Sequence, residues 1–343
     1  MMPATNPNSL RDQSPRHETA SAPASDDVTY EPAAAPSEHD SGQTAEPRRR
    51  RRVAVPVVLF LLTCLSMFVA GATGWNPGEY LLQGAWTQDW MPLRRVIYSN
   101  WEDGLIYSLC LLAILLTHEM GHFVMTVVYR VRASLPIFLP LPITPIGTLG
   151  AVIVMDSRTA NRREIFDIGI AGPIAGLIVA LPIMWIGVQQ LDFSAPQQAG
   201  LILDPPLAMR LAMDYLNVRG YDPAAGISIG QANPFFIACW VGLLVTGLNM
   251  MPVSQLDGGH VTYALFGKGS RWVARGFMIF VFAYMTYSTN FTWMPMALLV
   301  LAIGVDHPPT SDDKVRLGWP RMVLGLASLL IPIFCFVPHI RIL

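Results

Sequence analysis

From residue 53 onward the chain alternates long apolar runs with short polar joints, whereas residues 1–47 show neither helical nor strand periodicity and carry almost no large apolar side chains. The first run, Val53 to Ala72, is long enough at about 1.5 Å per residue to cross a hydrocarbon core of roughly 30 Å, so it reads as a signal anchor. Further runs cover Gly104 to Tyr129, Ile165 to Val188, Pro234 to Val253, Trp272 to Val305 and Trp319 to Pro338. The run from Trp272 is too long for one span, and Ser288-Thr289-Asn290 offers a turn within it. A hairpin there keeps Lys268, Arg271 and Arg275 on the same side as Lys314, Arg316 and Arg321. The pattern predicts an all-α polytopic membrane protein of about seven transmembrane helices.

One apolar stretch breaks this rhythm. Leu135 to Met155 contains Pro136, Pro140, Pro142, Pro145, Gly147 and Gly150, so it cannot be a straight helix. Its second part, Thr148 to Met155, has strand character, with a plain re-entrant packing loop as the alternative. The chain thus divides into a disordered cytoplasmic tail over 1–47, a basic run with the first anchor and an outer loop over 48–103, a core over 104–260, and C-terminal transmembrane helices over 261–343.

Composition agrees: 52% of the 343 residues are hydrophobic and 14% charged, with a mean hydropathy of +0.40. Soluble domains seldom look like this. The formal charge of −1 conceals an asymmetry, because Arg48 to Arg52 stand directly before the first apolar run. With that basic run cytoplasmic, Arg130, Arg132, Arg158, Arg162 and Arg163 also fall inside, and the outer loops hold only Arg94, Arg95, Arg210 and Arg219. The lipid bilayer is the expected partner, and nucleic acid is not. Cys64, Cys110, Cys239 and Cys335 lie far apart within apolar runs, which argues against both a disulfide framework and a thiolate metal site. The tail is too long and too acidic for a secretory n-region or a transit peptide, although Ala70-Gly71-Ala72 resembles a signal-peptidase site.

Against this background His118-Glu119-Met120-Gly121-His122 stands out, since Gly104 to Tyr129 holds no other ionisable side chain except tyrosine and Cys110. Histidines at i and i+4 point from one helix face, and a Glu beside the first can act as general base on water activated by a metal. Such groups are costly in lipid unless they face a protein interior or coordinate something. Counting back from Arg130 places both histidines roughly 12 to 18 Å from the cytoplasmic helix end. A catalytic zinc also wants a third protein ligand. Asp257 is the best candidate, since Pro252 should interrupt the preceding helix and Gly258-Gly259 allow a sharp turn. Gly169, Gly172 and Gly176, with Ala171 and Ala175, form a face on which another backbone can approach closely.

Taken together, three motifs in order resemble the site-2 protease family of intramembrane zinc metalloproteases, peptidase M50. They are His118 to His122, then Phe166-Asp167-Ile168-Gly169-Ile170-Ala171-Gly172-Pro173, then Asn249 to Gly258 with its Asn-x-x-Pro and Asp-Gly elements. The resemblance covers about Gly104 to Gly259, and the third motif looks closest to the branch that includes bacterial and plant chloroplast members. It implies zinc bound by His118, His122 and Asp257, with Glu119 as general base. It also implies Asn249 as an oxyanion or substrate hydrogen-bond donor, an interhelical hydrogen bond being the other reading of that residue. Family members are similar in placing a membrane-associated hairpin where Leu135 to Met155 stands, and the stretch from Gln189 to Asn233 is too short for the PDZ domain of another branch.

The implied activity is cleavage of transmembrane protein substrates, as in regulated intramembrane proteolysis, with a regulatory membrane partner in view. The acidic tail favours a bacterial cytoplasmic membrane over a chloroplast. A membrane scaffold that binds helices, or a metal or ion transporter, are the competing readings. Glu119 weighs against the first, and the absence of a visible inverted repeat weighs against the second. His260 and His307 remain without an assigned role, His260 being a candidate to stand near the metal and His307 to mark a helix end.

Overall fold

The computed structural model describes residues 53–155, 159–195, 201–223, 225–337 and 341–342. The tail over 1–47, Arg48 to Arg52 and Arg158 lie outside the described residues.

The first apolar run forms helix α1, Ala54–Ala72. Where an outer loop is expected, two short helices occur, α2 (Pro77–Thr87) and α3 (Met91–Ser99), each opened by a proline in its first turn. The helix carrying the His/Glu/His pentapeptide is α4, Trp101–Val128. It starts three residues before Gly104 because Glu102 and Asp103 complement the positive end of the helix dipole in its first turn. The proline-rich stretch then forms an antiparallel hairpin of β1 (Ile137–Leu141) and β2 (Gly147–Val152), with Ile137 opposite Val152 and an irregular register between Phe138 and Pro140. Pro140 has no N–H to give a ladder, which is consistent with a break in register at that point. The Ser66 hydroxyl of α1 donates to the Gly147 carbonyl at 2.6 Å, and the Tyr107 hydroxyl of α4 to the Ile146 carbonyl at 2.9 Å, so both helices pin the hairpin.

Helix α5 spans Arg162–Gln189 and includes Pro173 and Pro182. It begins at a capping box: the Asn161 side chain accepts from the Arg163 and Glu164 amides, and Glu164 accepts from the Asn161 amide. Between α5 and the next apolar helix lie β3 (Leu201–Leu203), α6 (Leu207–Tyr215) and β4 (Ile227–Ser228). Strand β3 pairs antiparallel with β4 and with β5, Arg341–Ile342, in the order β4-β3-β5. Strands of two and three residues carry too little periodicity to be read from sequence.

Helix α7, Pro234–Asn249, opens under the Asn233 side chain, which accepts from the Phe236 amide at 3.0 Å. After a short loop come α8 (Asp257–Phe266), then α9 (Ser270–Ser288) and α10 (Met294–Ile303) turning at the expected Ser288-Thr289-Asn290, then α11 (Trp319–Ser328) and α12 (Ile331–Cys335). Among the described residues, three helices are long and apolar enough to cross a membrane: α1, α4 and α5. The seven expected spans are therefore not all met by full-length helices. Helix α7 ends at Asn249, four residues short of Val253, because Pro252 cannot continue it. Pro332 comes after a break at Leu329 and Leu330 that divides the last run.

Helices α4, α5 and α7 pack on one another, with α1 against α4. Their core includes Tyr107, Leu111 and Ile114 of α4, Met184 of α5, and Phe236 and Trp240 of α7. The outer side of α1 exposes Val57, Val58, Leu61, Leu62 and Leu65, an apolar strip of the kind that faces lipid or another apolar surface. All four cysteines are free, Cys239 and Cys335 among buried neighbours.

Candidate metal centre

The i, i+4 spacing on α4 brings His118 and His122 to the face that meets α5 and the start of α8, and the chain break after α7 brings Asp257 to them. Its two carboxylate oxygens divide between the rings: Oδ2 lies 3.1 Å from His118 Nε2 and Oδ1 lies 3.2 Å from His122 Nε2. One ligand atom from each residue falls within 4.8 Å of the others. A tetrahedral zinc site with bonds of about 2.0–2.2 Å sets neighbouring ligand atoms roughly 3.3 Å apart, so this donor set fits such an ion. The tautomer fits as well. His122 Nδ1 is 2.7 Å from the Ile168 carbonyl, which can only accept, so Nδ1 carries a proton and Nε2 is the nitrogen left for a metal. His118, Glu119 and His122 are all buried.

The break between α7 and α8 differs in detail from the sequence reading. Asp257 is the first residue of α8, and the left-handed residue in the loop is Ser254, with φ of 54°, rather than either glycine. A Cβ on Gly258 would run into the Met250 carbonyl and one on Gly259 into that of Ser254, so the glycine pair lets the loop carbonyls lie against the first turn of α8. The result is a short approach that aims Asp257 back at α4.

The small-residue face of α5 lies directly behind the histidines. A Cβ on Gly172 would overlap His122 Nε2, whereas one on Gly176 would sit 3.1 Å from His118 Cβ. Gly172→Ala is therefore expected to push His122 off its position and weaken zinc binding by roughly 10- to 100-fold, with Gly176→Ala clearly milder. Competition against a graded series of chelators measures both, and equal affinities for Gly172→Ala and wild type would contradict the packing argument. Asp167 of the same motif, not singled out in the sequence, accepts a forked pair from Arg321 at 2.8 and 2.9 Å and a hydrogen bond from the Tyr129 hydroxyl at 2.5 Å. This ties the ends of α4, α5 and α11 together.

A cavity of about 190 Å³ opens beside His122 and Asp257. Its wall includes Glu119, Asn249, Gln255 and His260, together with Ala151 and Val152 of β2 and Ile153 and Met155 beyond it. Asn249 Nδ2 lies 3.4 Å from His118 Nε2, so this residue both lines the cavity and approaches a candidate donor. Every residue named for the site in the sequence thus stands in one place. Gln255 and the backbone carbonyl of Ile168 were not anticipated, and a backbone acceptor leaves no trace in residue type. A larger groove of about 890 Å³ between α9 and α10 is lined mainly by apolar side chains, with Arg275 its one charged residue, and carries no candidate metal ligand.

Comparison with known proteins bears on this arrangement. A sequence model of Peptidase family M50 matches residues 106–285, which takes in both histidines, Glu119, Asn249 and Asp257. Among similar proteins, "Probable zinc metalloprotease EGY1, chloroplastic" of Arabidopsis thaliana is 30% identical over 70% of this chain and 44% of its own length. The protein of the same name from Oryza sativa subsp. japonica is 30% identical over 83% of this chain and 50% of its own length. "Probable zinc metalloprotease EGY2, chloroplastic" of Arabidopsis thaliana is 27% identical over 66% of this chain and 41% of its own length. The chain spans about half the length of the curated relatives it matches.

Proposed function

We propose that this chain, which belongs to peptidase family M50, is an intramembrane zinc endopeptidase that cuts transmembrane segments of other membrane proteins. The observation that carries this reading is the cavity shared by Glu119, His122, Asn249 and Asp257, reached from α4, one of the three helices fit to cross a membrane. His118, His122 and Asp257 would hold the zinc. A bound zinc ion would supply a Lewis acid that acidifies water and polarises a carbonyl. Glu119, on the cavity wall, takes the proton from the attacking water and returns it to the leaving amine. Asn249 offers an N–H near His118 Nε2; once that lone pair is committed to a metal it cannot accept from Asn249, and the amide is free to face a carbonyl oxygen in the cavity.

A peptide bond inside a helix is shielded and hydrogen-bonded, so a transmembrane substrate must unwind locally before it can react. The outer edge of β2, continuing into Ile153 and Met155 at the cavity wall, gives an extended segment backbone partners beside the site. A non-catalytic scaffold has no use for a carboxylate beside metal ligands, and a transporter has no use for a base and an oxyanion donor together. Helix α9, together with the shorter apolar helices α7 and α10 and the Trp319–Cys335 pair, would complete the seven-span reading if they too sit at membrane depth. A multi-pass membrane location accords with this reading. The relatives' names place them in chloroplasts, which runs against the expectation of a bacterial cytoplasmic membrane; that expectation rests on residues 1–47 alone. Membrane proteomes of a Glu119→Gln strain and wild type test the function: fragments retaining a transmembrane segment should accumulate in the mutant, and identical proteomes would count against it.

A further inference from the structure

His260 and His307, without a role in the sequence, form a pair. His260 Nδ1 lies 2.6 Å from His307 Nε2, and His307 Nδ1 lies 2.5 Å from the Pro308 carbonyl oxygen. Tyr263 stacks on the His307 ring at 4.5 Å between centroids and donates its hydroxyl to Asp313 at 2.9 Å, which fixes the outer ring in place. His260 is buried, packs its Cβ against Gly169 of α5, and borders the metal cavity, as His307 does not.

Counting protons fixes the state of the inner ring. A carbonyl only accepts, so His307 Nδ1 carries hydrogen, and only one proton fits between His307 Nε2 and His260 Nδ1. Among the described residues neither ring forms an ion pair with a carboxylate. A buried imidazolium without a counter-charge is costly, so the pair is neutral and holds two protons on four nitrogens. Both are already placed. The remaining nitrogen, His260 Nε2, is therefore bare, and it lies on the side of the ring away from His307, on a residue that borders the cavity. A carboxylate partner in place of His307 would have favoured the opposite result, a ring that donates.

The proteolytic reading of the site supplies the donor, and the role assigned to His260 rests on that reading. A peptide laid along the β2 edge satisfies its backbone on one side and leaves N–H groups on the other, where an unpaired buried donor is penalised. We propose that His260 Nε2 accepts a hydrogen bond from a backbone N–H of the bound peptide, and that His307 is a positioning residue that fixes the tautomer. Removing His307's acceptor should then weaken peptide binding in ground and transition states alike, raising KM and sparing kcat.

Two measurements on the full chain test this. Nitrogen-15 spectra of histidine-labelled protein, assigned with His260→Phe and His307→Phe, should show His260 protonated at Nδ1 and bare at Nε2 in the wild type. An Nε2-protonated His260 overturns the proposal whether or not any peptide is cleaved. With a reconstituted transmembrane substrate and unchanged zinc content, His307→Phe, which keeps the stacking on Tyr263, should raise KM about 10-fold with kcat within about twofold. His307→Gln should recover most of the loss, because its side-chain oxygen can stand for Nε2, and the double Phe variant should be no worse than His260→Phe alone. A loss confined to kcat, equal damage in the Phe and Gln variants, or additive damage in the double would each overturn it. Zinc-loaded wild type that cleaves no transmembrane peptide would instead overturn the proteolytic reading, and the peptide contact with it, while the spectra still decide the tautomer.

Discussion

Replacing His118 and His122 together by alanine is expected to empty the site of zinc and abolish peptide cleavage. The two rings supply two of the three donor atoms within 4.8 Å, and no other group of three or more such residues gathers among the described residues. Loss of a single outer partner of a zinc ligand already costs roughly 10- to 100-fold in affinity, so loss of two ligands should exceed that range. Asp257 would be left as a half-buried carboxylate without its imidazole partners, which adds local destabilisation in the metal-free protein. Elemental analysis of the purified variant reads the first effect, and helical content by circular dichroism guards against simple unfolding. Full zinc occupancy in the double variant would remove the assignment, whereas Asp257→Ala with zinc retained would remove only the third ligand.

Glu119→Gln separates chemistry from assembly. The substitution keeps size and hydrogen bonding on the cavity wall and contacts none of the three donor atoms, so fold and zinc content should match wild type. Cleavage should fall on the order of 100-fold or more, because the proton acceptor is gone, and substrate should remain trapped on the protein. Asn249→Ala is the contrast: a smaller loss of rate with zinc intact if its N–H meets the carbonyl oxygen, and a loss of stability at unchanged rate if its contact with His118 is only structural. Zinc loss in Glu119→Gln would point to a structural role for the carboxylate and would count against this division of labour.

The parts of this site legible in the sequence are those that cost most in lipid. His118, Glu119 and His122 stand out because nothing else ionisable except tyrosine and Cys110 shares their apolar run, and Asp257 because a proline and two glycines mark irregular backbone after another apolar run. The face of Gly169, Gly172 and Gly176 is legible as a place of close approach, and only the folded chain shows that its neighbours are His122, His118 and His260. Helix ends are less legible. Pro252 warns of a break, yet not that α7 stops at Asn249 or that Ser254 takes the left-handed turn. The His260–His307 pair joins residues 47 positions apart through two ring nitrogens, and the Asp167–Arg321 pair joins residues 154 apart. Neither residue type nor local spacing records such contacts. The three-stranded sheet of β3, β4 and β5 escapes for a different reason, being built from strands too short to show alternation.

Hydrolysis of a peptide bond within a transmembrane segment, by the group around Glu119, is tested most directly by mass mapping of fragments from a purified transmembrane substrate co-reconstituted in lipid with the zinc-loaded protein. Paired new termini inside the apolar segment, absent with Glu119→Gln and lost on chelation, are the expected result. Cleavage only in soluble flanking regions, or equal cleavage by Glu119→Gln, would contradict it.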